Sequence, residues 1–427
     1  MKITGIIAEY NPFHNGHQYH IEKTKELTGA DYVVVVMSGS FTQRGIPAFT
    51  DKYTRTQMAL SCGADLVLEL PLYYATGSAE YFAIGAVSLL DKLGIIDSIC
   101  FGSECGNITL LTEIAQILVQ EPAHYQELLQ AALKDGQSYP VARNSAFVQY
   151  ISDTSPEKAV MYKEVLRSPN NILGIEYCKA LLKRNSSMTP YTIKREGGAY
   201  NDTALTAINS SALAIRTALS CTDDFVQVQN QMPASAYMLL QNAYKQKVPV
   251  TPEDISLLLH YRLLLHETEG YTKFMDVSEE LSHRIMKNLR YYKDFTSFCE
   301  LLKTKEITYS RISRALLHVL LSVTKENMNC YKANDYIMYA RMLGFRKNAT
   351  ALFALLKQTT VANKQVSEKA LAIPLISKLA DAKEYLSDTA LSMLAEDIRA
   401  THIYNAVVQN KFGCELKNEY QTEVVRY

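Results

Sequence analysis

An α/β fold is predicted, a Rossmann-like parallel sheet followed by a mostly α-helical domain. Three observations predict it. β-branched apolar runs alternate with helix-like stretches in the first quarter of the chain, each run ends in a turn signal, and strand signals thin out beyond residue 221. Strands that alternate with helices pair in parallel through right-handed crossovers, and such sheets bind ligands at the carboxyl ends of their strands.

The elements follow in order. Ile3 to Glu9 is a short apolar run closed by Tyr-Asn-Pro, a strand ending in a turn. A helix is expected from about Gly16 to Leu27. Tyr32 to Met37 is an apolar run with β-branched Val33 to Val36 at its centre, as a strand covered on both faces should be, and stops at Ser38-Gly39-Ser40. A helix from Asp51 to Cys62 leads to a third strand, Asp65 to Leu70, closed by Pro71. A helix over Ala79 to Leu93 precedes a fourth strand, Ile95 to Phe101, which stops at Gly102-Ser103. Residues 106 to 185 look mainly helical, with a fifth strand at Thr189 to Lys194 and a helix at Ser211 to Ala218. Beyond, Ser235 to Lys245, Asp254 to His266 and Arg311 to Val323 are Leu- and Tyr-rich at helical spacing. The chain is therefore divided into a catalytic domain, 1–220, and a helical domain, 221–427. At 427 residues it exceeds one ordinary core.

Composition excludes several classes. No apolar run reaches 18 residues, so no membrane span is expected, and the N-terminal apolar stretch is too short for a signal peptide. The eight cysteines form no CxxC pair, which argues against a zinc site or a disulfide framework and fits a reducing cytoplasmic setting. Lys plus Arg balance Asp plus Glu at 44 each, so no global field advertises nucleic acid.

Chemistry concentrates after the first strand, in Asn11-Pro12-Phe13-His14-Asn15-Gly16-His17. Two histidines three apart at a helix start project to one side. Gly16 leaves room for a nucleotide, and the helix N-terminus offers free amides to phosphate. Imidazole donors there stabilise the charge that builds on a pentavalent α-phosphate. A surface coincidence or a zinc half-site is the competing account; no third ligand lies at suitable spacing, so no metal site is expected.

The segment resembles the HxGH signature of the nucleotidyltransferase superfamily. A second phosphate motif is then expected, and Ile208-Asn209-Ser210-Ser211-Ala212-Leu213-Ala214-Ile215-Arg216 resembles it. There Ser210 and Ser211 would meet the β- and γ-phosphates and Arg216 would reach a phosphate bidentately. Capping by Ser210 and an exposed helix charge are the plainer roles.

Ile6 to His17, Gly39-Ser40-Phe41-Thr42-Gln43-Arg44-Gly45, Phe101-Gly102-Ser103-Glu104, Ser168 to Gly174, Lys194-Arg195-Glu196-Gly197 and Tyr309-Ser310-Arg311-Ile312-Ser313-Arg314 together resemble the tRNA(Met) cytidine acetate ligases. That resemblance implies activation of acetate by ATP, with Mg2+, to acetyl-adenylate. The acetyl group then passes to N4 of the wobble cytidine of elongator tRNA(Met). It implies an ATP site lined by Ile7, Ala8, Glu9, Tyr10, Asn11, Pro12, Phe13, His14, Asn15, Gly16, His17, Gln18, Tyr19 and His20, joined by Gly102, Asn170 and Arg195. Gly102 as a turn glycine, Asn170 as a capping residue and Arg195 in a salt bridge are the ordinary alternatives. Arg44, Lys52 and Arg55 near the strand ends read as solvated helix charges or triphosphate contacts, and Glu9 as a positioning group or a loop cap.

For RNA, the stretch from Arg284 to Lys347 holds 13 Lys or Arg against five Asp or Glu, with tyrosines interleaved. Arg284, Lys287 and Arg290 form one helical stripe, and Arg311 and Arg314 lie beyond; a solvated face is the alternative. No obligate protein partner is evident. Two other activities compete: a small-molecule adenylyltransferase, which needs no basic helical appendage, and a non-catalytic RNA-binding protein, which needs neither histidine.

Overall fold

In the computed structural model, residues 1–137, 139–195, 205, 210–221, 224–362 and 373–427 are described. The sheet contains β1 (Ile3–Ala8), β2 (Tyr32–Ser38), β3 (Leu66–Leu70), β4 (Ser98–Ser103), β5 (Thr189–Lys194), β6 (Ala340–Phe345), β7 (Leu375–Ile376) and β8 (Val425–Arg426), in the order β5-β4-β1-β2-β3-β6-β7 with β8 also on β6. The first five strands pair in parallel, with β1 at the centre between β2 and β4. Val33 to Met37 are wholly buried, as a two-sided apolar run requires.

The helices lie close to their expected spans. Asn15–Thr28 ends at Gly29, whose φ of 65° takes the left-handed conformation that closes a helix. Lys52–Ser61 is capped by Asp51, which accepts from Thr54 N, and Ala79–Lys92 by Ser78. Five helices fill the stretch from Ile108 to Lys183. Downstream lie Ala234–Ala243, Ser256–Leu265 and Tyr309–Leu321.

One finding goes against the sequence reading. Strands β6, β7 and β8 lie beyond residue 221, where strand signals are scarce, and β6 pairs antiparallel with β3. The cause is Arg341, whose charge interrupts the apolar pattern of Ala340–Phe345. It is buried because Glu69 of β3, at 3.2 Å, and Glu419, at 2.5 Å, neutralise it. The C-terminal half thus shares the sheet, and one buried cluster joins Ile6, Ile215, Tyr237 and Leu343.

Candidate active site

The carboxyl ends of β1 and β2, with the loops that follow them, open into a cleft of about 830 Å³. Glu9, His14, His17, Arg44, Asn170, Arg195, Ser211 and Arg216 line it, so the two motifs face each other. A neighbouring chamber of about 610 Å³ shares His14, His17, Arg195 and Ser211, and adds Gly16, Tyr19, His20, Gly102 and Ser210.

The helix start sets the imidazoles. His14 is the N-cap: its Nδ1 accepts from Gly16 N at 3.1 Å, while His17 Nδ1 accepts from His14 N at 3.2 Å. This is a capping box with histidine in both roles. Because each Nδ1 is an acceptor, each neutral ring carries its proton on Nε2 and presents a donor edge away from the backbone. The rings lie 3.8 Å apart at 31°. Burial, then Arg195 and Arg216, push His14 down to about 3; burial, then His14, hold His17 well below the usual histidine range. His20 is pushed down to about 4 by burial and then Arg195, and its Nε2 has no hydrogen-bond partner among the described residues. The arrangement therefore offers an anion neutral donors and fixed guanidinium charges. Gly16 is required for a reason other than nucleotide access: a Cβ there would come within 2.9 Å of the His14 ring.

That shift makes stability depend on pH. The folded-state pKa of His14 lies below the unfolded value of 6.5, so between about pH 6.5 and 3 the unfolded chain binds a proton that the folded one does not. Stability falls as pH drops through that window. His14→Asn keeps a capping acceptor without the titration. The melting temperature should accordingly fall less between pH 7 and 5 in His14→Asn than in the wild type, and equal slopes would contradict the assignment.

The loop carrying these groups is fastened from below. Asn11 Oδ1 accepts from Phe49 N at 2.7 Å, and Arg216 Nη1 donates to Asn11 O at 2.5 Å, tying the second motif to the first. Arg55 is fully buried, so it is neither a solvated charge nor a triphosphate contact. It donates to the carbonyls of Glu9 (2.7 Å), Ser38 (2.9 Å), Thr50 (3.1 Å) and Gly39, joining the ends of β1 and β2. Lys52 is likewise buried, 2.8 Å from both Glu69 and Glu419. Arg44 lines the cleft.

At the second motif, Ser211 is the cap and not Ser210. Its Oγ accepts from Ala214 N at 3.1 Å, and the helix runs Ala212–Cys221. Ile208 and Asn209, like Glu196 and Gly197, lie outside the described residues. Gly102 packs under Arg195, whose Cγ would lie 3.2 Å from a Cβ there. Asn170 Nδ2 donates to Glu104 at 2.7 Å, so its amide NH2 is engaged within the protein.

Sequence reasoning passed over two clasps. Glu104 also accepts from the backbone of Asn170 and Asn171, at 3.2 and 2.8 Å. Asn230 O accepts from Asn15 Nδ2 at 2.8 Å, and Gln231 Oε1 accepts from Ser210 N at 2.9 Å. Only the acidic residue of Gly-Ser-Glu beside a helix start gave any signal.

The basic segment divides. Lys287 and Arg290 are exposed, and Arg290 lies 4.7 Å over the Tyr291 ring. Arg284 instead donates through Nε to Leu302 O at 2.6 Å, closing a helix end. Arg314 is 2.8 Å from Asp276 and mostly buried, while Arg311 is half-buried; neither extends the open stripe. Their neighbour Ser313 donates to Gly45 O at 3.1 Å, so this motif supports the loop lining the cleft. No described helix is long and apolar enough to cross a membrane.

A predominantly parallel sheet with paired imidazoles after its first strand, opposed by a hydroxyl-arginine motif, defines a nucleotidyltransferase-type fold. Residues 1–419 match the HIGH Nucleotidyl Transferase family. Similar proteins include the tRNA(Met) cytidine acetate ligases of Clostridium perfringens (40% identical, covering 95% of each chain) and Acetivibrio thermocellus (39%, covering 100% of each). Among solved structures, Thermotoga maritima TmcAL superposes with a TM-score of 0.90 at 32% identity, covering 100% of this chain and 99% of that one. The same protein bound with alpha-thio ATP gives 0.89. The chain belongs to the tRNA(Met) cytidine acetate ligase family.

Proposed function

We propose that this chain is a cytoplasmic ATP-dependent ligase that joins acetate to N4 of the wobble cytidine of elongator tRNA(Met), through acetyl-adenylate. The observation that carries the reading is the single cleft in which His14 and His17 face Ser211, Arg195 and Arg216. Its relatives' names supply the carboxylate's acceptor, and the TmcAL complex supplies the nucleotide class.

In this reading the adenosine lies in the chamber of Gly16, His20 and Gly102, with the triphosphate across the two helix starts. Ser210, Ser211 and Arg216 hold the β- and γ-phosphates. Acetate attacks the α-phosphorus and pyrophosphate leaves toward Arg216. His14 and His17 donate Nε2–H to the equatorial oxygens as charge builds on them. Magnesium bound with the nucleotide would supply charge neutralisation beside Ser211, Arg195 and Arg216, the residues that meet the phosphates in this reading. Residues 1–220 carry this chemistry, and 221–427 carry the tRNA contacts through Lys287 and Arg290, both of which are exposed.

Mass spectrometry of nucleosides from tRNA incubated with the protein, ATP and labelled acetate tests the reading. Label in N4-acetylcytidine is expected; its absence, with AMP transferred to a small phosphorylated acceptor instead, would replace it. Replacing Lys287 and Arg290 together by alanine should weaken tRNA binding about tenfold. It should also flatten the slope of log affinity against log salt by roughly 1.8, the loss of two phosphate contacts. Unchanged affinity would move the RNA surface elsewhere.

A further inference from the structure

Glu9 is the single carboxylate among the described residues lining either chamber, where Arg44, Lys194, Arg195 and Arg216 supply the positive charge. A fixed anion there works against both a triphosphate and acetate, so neither explains it. Loop fastening explains half of it: Oε1 accepts from Gln43 N at 2.7 Å, and the Glu9 carbonyl accepts from Arg55. Oε2 has no hydrogen-bond partner among the described residues. The carboxylate is thus held in one place, half-buried, with one oxygen left over. Phe82, Leu173 and Tyr177 line the same cleft and form an apolar, partly aromatic wall. A flat heterocycle carrying an exocyclic amine fits this pairing: the ring against the wall, the amine N–H toward a carboxylate oxygen.

We propose that Glu9 receives the acceptor cytosine, accepting an N4–H hydrogen bond and then the N4 proton. This rests on the ligase reading above. The cytosine amine is a weak nucleophile because its lone pair is delocalised into the ring. As N4 attacks the acetyl carbon, positive charge develops on nitrogen, and a positioned carboxylate stabilises it. The N4–C bond forms and the acyl C–O bond breaks. AMP leaves with that electron pair, and the N4 proton goes to Glu9 and on to solvent. Adenylate formation has no such need, since acetate attacks as an anion. Glu9 therefore serves the second half-reaction selectively.

Glu9→Gln keeps the side chain's size and its acceptor for Gln43 N while removing the charge. Two rates are read on one preparation: acetate-dependent ATP–pyrophosphate exchange, and labelled acetyl transfer to a transcript of elongator tRNA(Met). The ratio of transfer to exchange should fall about 100-fold. Glu9→Asp should keep more transfer than Glu9→Gln. Exchange and transfer falling together would assign Glu9 to the nucleotide, and both holding at wild-type rates would leave it a loop clasp; either overturns the proposal. A wild type that lacks acetate-dependent exchange refutes the ligase reading itself, an outcome separate from any ratio in the variant.

Discussion

His17→Ala lowers acetate-dependent ATP–pyrophosphate exchange by about two to three orders of magnitude, the scale of losing one transition-state donor. The expectation follows from the helix start. With Nδ1 occupied by the His14 N–H, the His17 proton sits on Nε2 and the ring cannot turn without breaking that bond. A donor fixed before the reaction needs no reorganisation as charge moves onto the α-phosphate. His14→Asn is expected to behave alike for the same reason, and it separates chemistry from folding. Asparagine still caps the helix, whereas alanine would add about 1 kcal/mol of capping loss. Near-normal exchange in both variants, with melting temperatures unchanged, would remove the histidines from the reaction.

Arg55→Met destabilises the protein by about 3 to 5 kcal/mol, the scale of leaving several buried carbonyls without their charged donor. Arg55 has no accessible surface, and the carbonyls of Glu9, Ser38, Gly39 and Thr50 all accept from it. Methionine fills much of the volume and leaves those acceptors without their donor in a dry site. The loops that end β1 and β2 then lose their common tie, so exchange activity should fall along with the denaturation midpoint. Urea unfolding checks it: a loss under 1 kcal/mol would mean that the loops are held by Asn11 and Glu9 alone.

The parallel half of the fold was legible because its strands announce themselves. Val33 to Met37 is buried on both faces and reads as an unbroken apolar run, and Pro71 follows a strand end as expected, whereas Gly102, expected just past the fourth strand, lies within Ser98–Ser103. Strand β6 was not legible, because a buried arginine looks like a surface residue until Glu69 and Glu419 are seen beside it. The same blindness affected Lys52 and Arg55. Helical spacing says which residues share a face, not whether that face meets solvent. The paired histidines stood out through their position after β1, whereas the tautomers they hold emerged only from the bonds of the helix start. Gln231 and Asn230, far along the chain from either motif, carry no local pattern to find.

The imidazole pair and the Ser-Ser-Arg motif are expected to close on one triphosphate. A crystal structure of this chain with a non-hydrolysable ATP analogue tests it most directly. The α-phosphate oxygens should lie about 3 Å from Nε2 of His14 and His17, with the β- and γ-phosphates against Ser211 and Arg216. A nucleotide bound with its phosphates outside that cleft, or with both Nε2 atoms turned from them, would contradict it.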